Sequence, residues 1–411
     1  NNYWENNIRP ANTNNRTGGM EPSAMIVDMF PMADGKLPSS ASTYNKLEKS
    51  SFEYDRNYPF MNRDPRFYRT FAFPGVRWAY NGDASQGGVN NNPQDGANYA
   101  LWNYVWYTNQ DDAGNVESGE AYGADNLLKN KKGLYVRKRT SDYDLGSSLY
   151  VYNSGYSRGA FARSASPFIE IRYAEVLLNY AEAACGAGHM DVAVEQLQKI
   201  RSRVGYTAEN NYGLPANLAS DQATCMSAVL LERQIELAYE GKRFDDMRRW
   251  MLYDGGATKV AGAPDTWTLT GWGGNTCQWL GFTPLNGQRR ERMEFRVADK
   301  YGVGGTTYES DPLIKAGVSR CQPIDLRKPL ATQQEQLKTW YQENLVRKDN
   351  KGDGRDSYHQ DLTISYRAKY YFLGFSLGAM NRNDARLKQT IGWSDNRGGT
   401  GTFDPLAETS K

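Results

Sequence analysis

Two stretches of the chain carry side chains suited to gripping a flat polar molecule. Trp78, Tyr80, Tyr99, Trp102, Tyr104, Trp106 and Tyr107 crowd the first, interleaved with Gly, Asn and Asp. Trp267, Trp272 and Trp279 occupy the second, among Gly271, Gly273, Gly274 and Asn275. Such rings present an apolar face and, in Trp and Tyr, a polar tip. A sugar ring has a flat C–H face and a rim of hydroxyls. Stacking one on the other, with Asn, Asp and Arg bonding the rim, recognises a sugar without changing a bond. A lone Trp is more often core than site; clustering in glycine-rich loops is what singles these out. The candidate ligand-binding residues are Trp78, Tyr80, Trp102, Tyr104, Trp106, Trp267, Trp272 and Trp279.

The material for catalysis is thinner. Gly155-Tyr156-Ser157-Arg158-Gly159 matches the Gly-x-Ser-x-Gly nucleophile elbow, which needs a strand before it and a helix directly after it. Residues 149–152 suit the strand, but Pro167 and a new helix follow too soon for the second element. Only His359 stands in the right chain order to complete a triad. A glycosidase would need two carboxylates flanking a bond, and 47 acids offer no basis for choosing two. Asp349, Asp353 and Asp356 lie in an acidic turn whose third position is Lys351, so it is no EF-hand. A looser structural calcium site there, or at Asp111 and Asp112, competes with a plain solvated turn. No other cofactor is indicated. The four cysteines are 40, 52 and 44 residues apart, which excludes a zinc ribbon or a Cys-x-x-Cys centre. Cys185 and Cys225 read as small core residues, while Cys277 and Cys321 leave a disulfide open.

Composition narrows the class. Forty-nine basic against 47 acidic residues leave a net charge of +2, with no broad pull toward nucleic acid or anionic lipid. No apolar run approaches the ~20 residues that cross a bilayer. The chain has 10 Trp, 28 Tyr and 40 Gly against 39% hydrophobic residues, a wet, loop-rich composition suited to an extracellular binding surface.

The elements that must position these loops centre on residues 166–252. Ser166 and Pro167 suit the start of a helix. Arg172, Glu175, Asn179 and Glu182 fall at spacings of 3, 4 and 3, a single wet stripe. Ile171, Ala174, Leu177, Leu178, Tyr180, Ala181 and Ala184 then form a wide buried face. Gly186 and Gly188 end that helix, and Asp191 caps a second one lined by Ala193, Leu197, Ile200 and Val204. A break of five residues makes the pair antiparallel, and the small residues at 181, 184 and 193 fit a tetratricopeptide-like hairpin. Glu232, Arg233, Glu240, Arg243 and Asp246 suit ion pairs within a second helical pair, more a packing lock than a binding groove. Arg63 and Arg66 can fork onto a carboxylate to pin the loop around Pro65. Residues 24–30 suit a short helix or strand, 134–138 and 292–297 short strands, 332–346 a helix. Strict alternation over 362–372 predicts a half-buried strand. The expected fold is mainly α: tetratricopeptide-like hairpins (166–252) between a loop- and strand-rich segment with the aromatic loops (1–165) and a loop-rich C-terminal segment (253–411), with small β-sheets.

RYAEVLLNYAEA (172–183), AVEQLQKIRSRVG (193–205) and LLERQIELAYEGKRFDDMRRW (230–250) resemble the SusD/RagB family of outer-membrane nutrient-binding lipoproteins. DGK (34–36) leading into NRDPRFYRTFAFPG (62–75), and NRNDARLKQTIGW (381–393) followed by GTFDPL (401–406), agree in the same order. The resemblance implies a SusD-like fold, a cell-surface place at the outer membrane, a SusC-like TonB-dependent transporter as partner, and capture of an oligosaccharide, or in some members a peptide, without catalysis. A glycoside hydrolase or esterase is the competing expectation. Family members carry a signal peptide, a lipid-bearing cysteine and further helices ahead of the matching region. This chain opens on an Asn-rich run, so it is expected to be the later part of a longer protein whose lipid anchor lies outside it.

Overall fold

The computed structural model describes Trp4, Ile8 and residues 20–76, 107–108, 121–122, 133–140, 169–265, 267, 269, 274–302, 311–319, 321, 324–326, 328–350, 363–383 and 386–407. In chain order the elements are α1 (Ala24–Met29), α2 (Pro65–Thr70), β1 (Phe71–Ala72), β2 (Tyr107–Thr108), β3 (Ala121–Tyr122), β4 (Tyr135–Val136), α3 (Tyr173–Gly186), α4 (Met190–Val204), α5 (Gln222–Glu236), α6 (Arg243–Arg249), α7 (Thr276–Leu280), β5 (Arg292–Val297), α8 (Pro312–Lys315), α9 (Leu330–Asn344), β6 (Leu345–Asn350) and α10 (Leu377–Arg382). The fold is mainly α. β1 pairs with β4, and a second sheet has the order β3-β2-β5-β6. β5 and β6 are antiparallel, in register from Arg292 opposite Asn350 to Val297 opposite Leu345.

α5 is the pivot. Asp221 caps it, accepting from the amides of Ala223 (2.9 Å) and Thr224 (3.2 Å). Every residue from Ala223 to Glu236 is buried, as expected of a helix surrounded by others. α3 and α4 form the expected hairpin against it. In α4, Ala193, Leu197 and Ile200 line the core, and Gly205 ends the helix with φ +109°. There a side chain would be strained and glycine is not. Aromatic packing fills the space between α2 and the second sheet, where Phe60 stacks on Phe73 at 4.2 Å and Tyr341 meets Phe295 edge-on.

Two sequence expectations fail here for physical reasons. First, the polar stripe of α3 does not face water, and part of its expected apolar face does. Its stripe of Arg172, Glu175, Asn179 and Glu182 is the packing seam: Arg172 pairs with Glu236 (2.6 Å), Lys242 with Glu175 (3.2 Å), and Arg233 donates to Asn179 (2.6 Å). Arg249 closes the row on Glu182. Ile171 and Tyr180, expected inside, are 66% and 54% exposed. Leu178, Ala181, Ala184 and Cys185 do bury. Charges on α5 and α6 outcompete the apolar flank of α3, because a buried charge costs far more unpaired than an exposed ring does. The helix also starts later, at Tyr173, after an extended Arg172; Ser166 and Pro167 lie outside the described residues.

Second, residues 363–372 of the expected strand over 362–372 make none. Thr363 bridges Arg289, and the chain then enters a 3-10 turn over Ala368–Tyr371. Side chains take the backbone groups a neighbouring strand would need. Asn286 grips both the amide and the carbonyl of Tyr366 (2.8 and 3.0 Å), and Arg248 donates to the carbonyls of Tyr370 and Tyr371. Tyr366 stacks flat on Tyr253 at 3.7 Å. The other expected elements appear, with 24–30 as a helix. Residues 149–152 lie outside the described residues.

Candidate functional site

The positioning machinery starts on α5. Glu232 and Glu236 stand one turn apart, and Glu240 follows in the next turn. Glu232 takes Arg66 and Arg201 (2.9 Å to the latter). Glu236 takes Arg66 (3.0 Å), Arg172 (2.6 Å) and Arg203 (2.6 Å). Glu240 takes Arg172 (2.7 Å), Lys138 (2.7 Å) and Arg139 (3.0 Å). Burial works to raise the Glu240 pKa, but the hydrogen bond from Arg172 and the charge of Lys138 hold it down, to about 2. Glu236 is likewise depressed against its burial, chiefly by Arg66. Glu236 and Glu240 thus stay ionised inside the protein.

Arg66 connects the ladder to the N-terminal segment. Its Nε and Nη2 fork onto Asp64 (3.0 and 2.9 Å), the bidentate geometry that arginine favours. Asp64 in turn caps α2 through the amide of Arg66 (2.8 Å) and accepts from the Tyr206 hydroxyl (2.9 Å). Burial pushes the Asp64 pKa up, yet Arg66 outweighs it and leaves it low. Neighbouring Arg63 is fully buried and donates to the carbonyls of Pro59 (2.7 Å), Val27 (2.5 Å) and Phe30 (2.6 Å). Those last two carbonyls belong to the C-terminal half of α1 and the residue after it, so Arg63 satisfies groups a helix end leaves open. Arginine by arginine, the position of α1 is set from α5.

α1 carries one wall of a cleft of about 440 Å³. Asp28, Thr43, Tyr54, Arg56, Arg289 and Asp349 supply its polar lining. Behind it Arg347 is clamped between two carboxylates: Nη1 and Nη2 to Asp28 at 2.8 and 2.7 Å, and Nε to Asp349 at 2.8 Å. Burial lowers the Arg347 pKa, but both carboxylates more than reverse this. Tyr54 donates to Asp28, and its own pKa is raised by burial first and that carboxylate second. Arg56 pairs with Asp349, and Arg289 with Glu291 at 3.1 Å. With Arg347 counted behind the wall, Asp28, Asp349 and Glu291 are balanced by Arg347, Arg56 and Arg289. The lining presents many acceptors and donors, and the Thr43 hydroxyl is buried there with no hydrogen-bond partner. That chemistry fits a neutral molecule rich in hydroxyls better than an ion.

The aromatic candidates fare unevenly. Trp78, Tyr80, Trp102, Tyr104, Trp106 and Trp272 lie outside the described residues. Trp267 is in the core, 8% exposed, with its indole N–H donating to Asp404 (2.8 Å) and its ring against Phe372 (5.2 Å). Trp279 is half-buried on α7 and packs against the core. No contact among the described residues brings these two loops together. Asp28, Thr43, Tyr54 and Arg347 had escaped sequence reasoning because they are scattered over three hundred positions with no common period. The one local signal was Arg347 and Asp349, two apart on β6 and hence on one face. Ser157, His359, Asp111, Asp112, Asp353 and Asp356 lie outside the described residues, and Asp349 is engaged by Arg56 and Arg347. Among the described residues no cluster of His, Cys, Asp and Glu could hold a metal ion. Cys277 and Cys321 form no disulfide. No helix among the described residues is long and apolar enough to cross a membrane.

Comparison with known proteins places the chain. The pattern that defines the SusD family matches residues 1–393. No curated protein sequence matches. Among solved structures, a SusD-like protein from Bacteroides fragilis shares 26% identity at a TM-score of 0.36, over 58% of this chain and 37% of that one. The protein BT4246 shares 22% identity at a TM-score of 0.35, over 60% of this chain and 39% of that one. The chain thus matches well under half the length of these relatives. With nearly its whole length matched by the family pattern, the chain belongs to the SusD/RagB family.

Proposed function

We propose that this chain is the binding part of a cell-surface protein that captures a neutral oligosaccharide and passes it to a TonB-dependent outer-membrane transporter, breaking none of its bonds. Membership of the SusD family across residues 1–393 carries this reading. The charge-balanced cleft supports it, because hydroxyls are satisfied by paired acceptors and donors while a charged ligand would have to displace an existing ion pair. In this reading Trp78, Tyr80, Trp102, Tyr104, Trp106 and Trp272 supply stacking faces, and the helices and their carboxylate ladder are the rigid support, the usual division between scaffold and loops.

Affinity electrophoresis against a panel of neutral and acidic polysaccharides tests it. Retardation by a neutral glycan, weakened about tenfold or more in Trp102→Ala and Trp272→Ala at ~1–3 kcal/mol per lost aromatic stack, is expected. Retardation only by peptides would replace the ligand class. Release of shorter products from any glycan would overturn the binding-only reading.

A further inference from the structure

Among the described residues, large apolar side chains that face water gather in two places. One is the flank of α3 that carries Ile171 and Tyr180. The other is in the C-terminal segment, where Leu373 (60% exposed), Phe375, Leu377 (64%) and Phe403 stand outside the core. This second face is firmly built. The side chain of Gln389 is buried and ties three stretches of chain together. Its oxygen accepts from the amides of Phe375 (2.8 Å) and Thr390 (2.9 Å), and its nitrogen donates to the carbonyls of Phe375 (3.0 Å) and Ser394 (3.3 Å). The backbone carbonyl of Gln389 accepts from the amide of Phe403 (2.8 Å), and the Phe403 and Phe375 ring centroids lie 6.3 Å apart. Gly374 lies against the Trp393 ring, where a Cβ would come within 2.7 Å. The chain is extended on either side, at Phe372 and Ser376, and neighbouring side chains on extended chain point opposite ways. With position 374 turned inward, Leu373 and Phe375 turn outward.

An exposed apolar patch with a polar rim marks a contact surface, and the rim here is cationic. Leu377 opens α10 and Arg382 closes it, roughly 8 Å along the helix axis. Arg386 and Lys388 lead into Gln389. All three cations are exposed, and none makes an ion pair among the described residues. The described carboxylates of residues 373–407 are Asp395 and Asp404. Asp395 accepts from the amides of Arg397 (2.8 Å) and Gly399 (2.7 Å), and Asp404 from the amide of Leu406 (2.8 Å) and the Trp267 indole. Neither pairs with the three cations. Asp384 lies outside the described residues.

We propose that this face lies against an anionic lipid surface, with Leu373, Phe375, Leu377 and Phe403 entering the headgroup layer and Arg382, Arg386 and Lys388 meeting its phosphates. Charge decides the occupant. The chain as a whole, at +2, carries too little charge to attract such a surface broadly. Here the charge is local: three cations around an apolar centre complement a surface with many negative charges in one plane. A lone anion would meet one cation and leave the rings in water. Each Lys or Arg held near an anionic bilayer strengthens binding about fivefold, while apolar insertion alone gives a weak, reversible hold. The inference needs no particular sugar and stands apart from the glycan reading.

The test is flotation of the full chain with vesicles of phosphatidylcholine alone and of equal parts phosphatidylcholine and phosphatidylglycerol. Expected are retention by the mixed vesicles, little by phosphatidylcholine alone, and release in ~1 M salt, where charges are screened beyond about 3 Å. Arg382→Gln with Arg386→Gln and Lys388→Gln should weaken retention about a hundredfold, at about fivefold per cation. Leu373→Ser with Leu377→Ser should weaken it about tenfold or more. Both variants should melt at the parent temperature, because every replaced side chain is exposed. Should the leucine pair melt early, the charge variant decides alone. No retention by the mixed vesicles, equal retention by both kinds, or retention unchanged in either folded variant would overturn the proposal. So would binding to polyglutamate and not to vesicles, which would make the occupant an acidic protein.

Discussion

Replacing Arg66 by Ala asks whether the carboxylate ladder holds the segment that builds the cleft. Arg66 forks onto Asp64 at 3.0 and 2.9 Å, reaches Glu236 at 3.0 Å and also bonds Glu232. After its removal Glu232 keeps Arg201, and Glu236 keeps Arg172 and Arg203. Asp64 keeps no cation, only the Tyr206 hydroxyl and its capped amide, and it is 0% exposed. The penalty therefore concentrates on one buried carboxylate. Removing one member of such a pair costs about 3–5 kcal/mol. The assay is urea unfolding, where the loss appears as a lower midpoint at unchanged slope. Adding Asp64→Asn to Arg66→Ala removes the stranded charge and retains a capping oxygen, so about 1–3 kcal/mol should return. The loss should also shrink at acid pH: without Arg66 the folded-state Asp64 pKa rises, and protonation relieves the penalty as pH falls. A cost below about 1 kcal/mol, the value of an exposed pair, or an Asp64→Asn effect that simply adds to that of Arg66→Ala, would refute the reasoning.

In the parent chain the pH dependence has a fixed sign. Asp64, Glu236 and Glu240 have folded-state pKa values below their unfolded ones, Glu240 at about 2, so their stabilisation is present above the unfolded carboxylate pKa of about 4 and is lost as pH falls toward 2. Urea midpoints should be flat above about pH 5 and decline below it; a flat profile to pH 2 would contradict the ladder. Trp267→Ala should cost about 3–5 kcal/mol by the same assay and leave glycan retardation of the folded fraction unchanged, whereas Trp102→Ala and Trp272→Ala should do the reverse. Gly213→Ala should lower the melting temperature, since Gly213 has φ +67° and a Cβ there would sit 2.5 Å from the Asp34 carbonyl. Gly213 also offers its carbonyl to Arg201 at 2.6 Å, so an unchanged melting temperature would mean that this close approach is not required.

Much of the helical scaffold was legible in the chain. The hairpin of α3 and α4, the strand at 292–297, the α9 helix and an arginine fork onto a carboxylate beside Pro65 follow from local spacing and from the chemistry of the residues. What was misread was the polar stripe of α3, taken as wet, and the burial of Ile171 and Tyr180. Periodicity finds an apolar face and a polar face, but it assumes that water lies beyond the polar one. Beyond it here lie Arg233, Lys242 and Arg249. Alternation at 362–372 misled in a similar way: period two permits a strand, and only an available partner edge makes one. Asn286 and Arg248 occupy the backbone groups instead.

From the amino-acid order alone came the family, the mainly helical class, and an aromatic-rich chain with little net charge, because these depend on short-range pattern and on composition. Tertiary structure alone decided that Arg66 spans to Glu232 and Glu236, that Asp28 and Asp349 share Arg347 beside a cleft, and that Gln222 clamps the end of α3. Each is an encounter between residues distant in sequence or on separate elements. No local propensity encodes such a meeting; it is set by which buried charges and surfaces find their complements when the helices close around α5.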